Sequence, residues 1–68
     1  MDNHIERMAV EQKELEEKMM KLFDFIKDNP IYKTLPIREQ MLMAQQLGFM
    51  KSYFDVLTQR INDTTGGE

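Results

Sequence analysis

Two heptad stripes on either side of one proline-bearing break constrain this chain more than any other feature. Ile5, Met8, Leu15, Met19, Leu22 and Ile26 recur at alternating steps of three and four, with only Gln12 interrupting, and Met43, Leu47, Met50, Phe54, Leu57 and Ile61 recur without interruption. Such steps return a side chain to the same face of an α-helix, so each stripe marks one helix with one apolar seam. The segment between them is short, so the second helix must fold back beside the first. The expected fold class is all-α: an antiparallel two-helix hairpin that self-associates into a helical bundle.

Local signals set the expected boundaries of a single domain over 1–68. Asn3 followed by Glu6 resembles a capping box, in which the cap side chain accepts a backbone N–H and the Glu reaches back to the cap. The first helix is expected over 3–28. It should close near Asn29, a residue that tolerates the left-handed conformation, because Pro30 pushes its predecessor out of the helical region. The connector 29–35 then leads into a second helix over 36–62, with Pro36 in the first turn and Leu35 or Thr34 at the cap. Residues 63–68 lack periodicity and are expected to fray as a flexible tail.

Size makes self-association the expected source of stability. Below ~70 to 80 residues a single core seldom offsets the entropy of ordering the chain, and 68 residues without Cys cannot be stapled by disulfides. A lone His and no Cys also argue against structural zinc. The apolar surface points the same way. Leu42, Phe49 and Val56 form one lane of the second helix, Gln46, Tyr53 and Arg60 the next, and the seam two more, an arc of ~160° that one partner helix cannot cover. Phe23, Phe25 and Met20 widen the arc of the first helix, and in a lone hairpin these off-seam residues would face water. A homodimer or larger even-numbered oligomer is the expected partner state.

Several residues carry two readings. Gln12 sits in the seam, where a polar side chain either fixes register or turns outward. Ala44, Gly48 and Ser52 recur every four residues; Gly48 costs ~1 kcal/mol relative to Ala in a helix, which fits either a close neighbour or a tolerated surface glycine. Among seven Met, Met8, Met19, Met43 and Met50 suit core filling, while Met20 and Met41 lie off the seams and suit an interface. The pairs Glu14 with Lys18 and Glu17 with Lys21 make a solvated face, at ~0.2 to 0.5 kcal/mol each.

Net charge is −3, unevenly spread. Residues 2–28 carry eight acids and five bases, whereas 31–61 carry Lys33, Arg38, Lys51 and Arg60 against Glu39 and Asp55. That asymmetry serves either pairing between helices or an anion surface. No apolar run reaches the ~18 residues of a membrane span, and Met1-Asp2-Asn3-His4 lacks a basic, apolar leader, so a cytoplasmic, membrane-free protein is expected. No nucleophile–base pair, paired carboxylates, metal cluster or phosphate loop stands out, so the chain is expected to be no enzyme and to need no cofactor or metal.

One cluster has a physical rationale for binding. Tyr32, Lys33, Thr34 and Arg38 flank the start of the second helix, where free N–H groups and cationic side chains favour an anion and a ring can stack on a base. The alternative is that Tyr32 plugs the hairpin end and Lys33 is solvated. In an antiparallel hairpin, residues whose numbers add to about 65 lie level, which sets Arg60 near Ile5 with His4 and Arg7 at the open end. Head-to-tail packing of two hairpins would bring those residues and Tyr53 toward Lys33 and Arg38, giving a candidate ligand site shared between protomers.

The run His4-Ile5-Glu6-Arg7-Met8, then Glu14-Leu15, Glu17-Lys18, Lys21-Leu22 and Phe25-Ile26, the connector from Asn29-Pro30 through Tyr32-Lys33 to Leu35, and Gln45-Gln46-Leu47 through Met50, Tyr53, Leu57 and Arg60-Ile61 resembles a family of short helical-hairpin proteins of bacteriophages, including crAss-like phages. The likeness spans residues 4 to 61. Gly48-Phe49-Met50 is also distantly similar to a stretch in the hairpin of phage anti-CBASS and anti-Thoeris sponges, which sequester cyclic nucleotide immune signals. The Arg that follows in that family falls on Phe54 or Asp55, so no binding residue is carried over from it.

Together these resemblances imply a phage-encoded, non-catalytic protein of the host cytoplasm that oligomerises and sequesters a small anionic ligand, with a cyclic nucleotide immune signal as the leading candidate. The alternative from the residues is a helical protein-interaction module or inhibitor docking on a host or phage protein. RNA binding, as in plasmid copy-number regulators of similar architecture, is disfavoured by the acidic first helix.

Overall fold

The computed structural model describes residues 4–65. It contains α1 (His4–Asp28), a 3-10 turn (Pro30–Thr34) and α2 (Ile37–Thr64), with no strand among the described residues. The two helices pack side by side as a hairpin, a rod of 49 × 17 × 15 Å. The proposed capping residue Asn3 lies outside the described residues, so the box with Glu6 does too.

The break is built differently from the sequence expectation. Asn29 donates its N–H to the Phe25 carbonyl at 3.1 Å, closing α1, but its backbone is extended (φ −84°, ψ 121°) and not left-handed. The ring of Pro30 excludes helical geometry from the residue before it, and the Asn29 side chain instead caps the 3-10 turn by accepting the Ile31 N–H at 2.9 Å. Leu35 and Thr34 do not cap α2. The Leu35 N–H bonds the Tyr32 carbonyl at 3.2 Å, and the Thr34 hydroxyl donates to the Ile31 carbonyl at 2.6 Å, so both finish the turn. Pro36 is itself the N-cap, its carbonyl accepting the Gln40 N–H at 3.0 Å, and Ile37 is the first helical residue.

At its far end α2 runs two residues past the expected limit. Asp63 and Thr64 are helical, the Thr65 N–H closing the last turn on the Ile61 carbonyl at 3.0 Å, and the Thr64 and Thr65 hydroxyls bond back to the carbonyls of Arg60 (2.7 Å) and Ile61 (3.0 Å). Residues 66–68 of the expected tail lie outside the described residues.

Burial is concentrated in the open half of the hairpin. Met8 and Leu15 from α1 and Leu57 from α2 are buried, and Leu57 is fully enclosed. The other seam residues are half-buried, except Ile5, which at the open end is exposed. Gln12 spans the seam: its Nε2 donates to the Thr58 hydroxyl, which in turn donates to the Phe54 carbonyl at 3.0 Å. Gln12 therefore turns into the seam and not outward. The numbers 12 and 58 add to 70 where level positions add to about 65. Side chains lean toward the N-terminus of their own helix, so in an antiparallel pair they lean toward each other and meet across an axial offset.

Candidate functional site

The loop end is held by a polar clamp around Tyr32. The Tyr32 ring meets Phe25 edge-on at a centroid distance of 6.2 Å, and its hydroxyl donates to the Gln40 carbonyl at 3.0 Å. Gln40 answers from α2 by donating Nε2 to the Leu35 carbonyl at 2.8 Å and the Lys33 carbonyl at 3.4 Å. This clamp has the geometry of a plug at the hairpin end. It also leaves Phe25 half-buried, where the sequence placed it among residues facing water.

Of the remaining candidates at this end, Lys33 and Arg38 are exposed, and Thr34 is exposed with its hydroxyl committed to the turn. His4 opens α1 and is half-buried, Arg60 is exposed in the last turns of α2, and Arg7 borders a shallow depression with Val10 and Glu14. Tyr53, 46% exposed, stands between the two groups on the flank of α2. Within one chain the loop-end and open-end cations thus occupy opposite ends of a 49 Å rod. Any site using both needs a second chain.

An extended apolar surface runs along the flank of α2. Leu42, Gln45, Gln46, Phe49, Met50 and Tyr53 line one open depression, and Ile37, Arg38 and Met41 line another that shares Leu42 and Gln45 with the first. Phe49 is 66% exposed and Val56 54%. Sequence periodicity had located the lanes of Leu42 and Tyr53. It missed that Arg38 borders the same strip, although its position four residues before Leu42 carries that signal.

On the other flank a smaller depression lies between the helices, formed by Met19, Met20, Phe23, Leu47 and Lys51. Lys27 Nζ sits 5.7 Å from the Phe23 ring centroid, covering part of that exposed ring with charge. A Cβ added at Gly48 would meet nothing within 4 Å, so no close neighbour inside the hairpin accounts for this glycine. Among the described residues no group of three His, Asp or Glu side chains is placed to hold a metal ion, and no helix is long and apolar enough to cross a membrane.

The model of the Sequestin family matches residues 2–63, and the chain belongs to that family. No curated protein and no solved structure matches it.

Proposed function

We propose that this Sequestin-family hairpin is a non-catalytic binding protein that assembles with copies of itself and sequesters a small anionic ligand between protomers. The family name denotes sequestration, which supports capture without turnover. The observation that carries the reading is the exposed apolar strip of α2, bordered by Arg38 within its depression and followed by Arg60 four residues after Val56. An apolar strip with cationic ends suits a surface that is closed by a partner and leaves charge to hold an anion. The resemblance to phage hairpins and nucleotide sponges points to a phage-encoded protein acting in the host cytoplasm, with a cyclic nucleotide immune signal as the ligand.

Thermal unfolding in the presence of cyclic di- and trinucleotides, cyclic ADP-ribose isomers and linear nucleotides tests this. A ligand at 100 times its dissociation constant adds ~2.7 kcal/mol to stability, a shift of ~10 °C or more for a chain this small. No shift from any of them at concentrations well above micromolar would end the nucleotide reading. For a bound ligand, Lys33→Ala and Arg38→Ala should each cost ~1.5 to 3 kcal/mol of binding through lost charge-assisted hydrogen bonds.

A protein-interaction role is favoured by a separate observation, the apolar depression of Met19, Met20, Phe23 and Leu47 with its exposed, adaptable methionine. It predicts a specific captured protein, indifference to removing Lys33 and Arg38, and no response to nucleotides.

A further inference from the structure

The exposed strip of α2 is arranged symmetrically about one residue. Leu42 and Val56 stand seven positions either side of Phe49, Gln45 and Tyr53 four either side, and Arg38 and Arg60 eleven either side. Offsets of four, seven and eleven all return to the same face of a helix, so these residues share one face. Their chemistry is symmetric as well: aromatic at the centre, hydrogen-bonding groups next, aliphatic residues beyond, and an arginine at each end. A twofold axis at Phe49 would set Leu42 against Val56 of a second copy, Gln45 against its Tyr53, and Arg38 against its Arg60. An isologous interface requires this kind of self-complementary patch.

The exposed area fits the same occupant. The chain exposes 5487 Å², whereas a globular monomer of 8.1 kDa is expected to expose ~4,500 Å². The excess, ~1,000 Å², is close to the ~800 Å² that each partner hides in a stable dimer. A rod carries more surface than a globule of the same mass, and a second rod laid along α2 is an occupant of matching size.

We infer that a second copy of this chain docks antiparallel on α2 about an axis at Phe49, and that Arg38 of one protomer and Arg60 of the other form an anion site at each end of the seam. Antiparallel pairing opposes the two helix dipoles. It also faces two guanidinium groups that repel unless an anion with oxygens to share lies between them, and planar guanidinium groups suit phosphate oxygens. This inference deepens the proposed function and rests on its assembly half only.

Because the chain has no Cys, single-thiol variants read the register directly. Phe49→Cys should form a disulfide-linked dimer alone under mild oxidation, whereas Leu42→Cys and Val56→Cys should do so in quantity only when refolded together. Cross-linking of Leu42→Cys and Val56→Cys each by itself would mean a parallel pair and overturn the proposal, as would no cross-link in any combination. Phe49→Glu, at an exposed site, should keep its helicity yet sediment as an 8.1 kDa monomer, and a dimer unaffected by it would place the interface elsewhere.

Inorganic phosphate, compared with chloride at equal ionic strength, should tighten association of the parent several-fold, and Arg38→Gln with Arg60→Gln should abolish that response. Indifference of the parent to phosphate would remove the anion site. All of these readouts omit nucleotide. A failed nucleotide screen therefore leaves the dimer standing, and a failed cross-link leaves any nucleotide result intact.

Discussion

Along α2, Leu57 is fully enclosed while Val56, one residue earlier, is 54% exposed, and the same contrast separates the half-buried Met50 from Phe49 at 66%. Both residues of each pair belong to apolar lanes with the same heptad rhythm. One lane meets α1 and the other meets solvent. The comparison teaches that periodicity identifies a face able to be buried, while burial itself requires a partner at that angle. With two helices, only one of two adjacent lanes on α2 can be served.

Substitutions that act on one lane and spare the other should break this comparison most visibly. Leu57→Ala removes the most enclosed side chain and should destabilise the fold by ~2 to 5 kcal/mol, read by chemical denaturation. If α2 lies against a second copy, Phe49→Ala should weaken dimerisation by about 2 kcal/mol in sedimentation while far-UV helicity is retained. Equal losses of helicity for the two would erase the distinction between inner and outer lanes.

Smaller effects sharpen the picture at particular points. Tyr32→Phe deletes the hydroxyl bond to the Gln40 carbonyl but keeps the ring on Phe25, and should cost ~0.5 to 1.5 kcal/mol if the clamp works as a plug. Gly48→Ala introduces a Cβ into open space and should stabilise α2 by about 0.5 to 1 kcal/mol, measured as a raised unfolding midpoint. A loss instead would show that an assembled neighbour approaches this backbone.

Much of the architecture was legible in the sequence because it depends on spacing along one helix at a time. The two seams, the antiparallel return and the exposed positions of Met20, Met41, Leu42, Phe49 and Val56 follow from steps of three and four and from a short break. The candidate site was legible only as a set of cations and a tyrosine with two readings. Tyr32 engages Phe25 and Gln40, and the latter lies eight residues away on the next helix, a contact that no local pattern announces.

The sequence by itself determined two helices, their apolar lanes and the proline that parts them, since these are local consequences of residue shape and helical period. The tertiary structure alone decided that Gln12 reaches Thr58 across the seam and that the Tyr32 hydroxyl finds the Gln40 carbonyl on α2. Each depends on where a backbone carbonyl, N–H or hydroxyl from elsewhere comes to lie. Hydrogen bonds are directional and short, so their partners are chosen only once the helices have taken their offset.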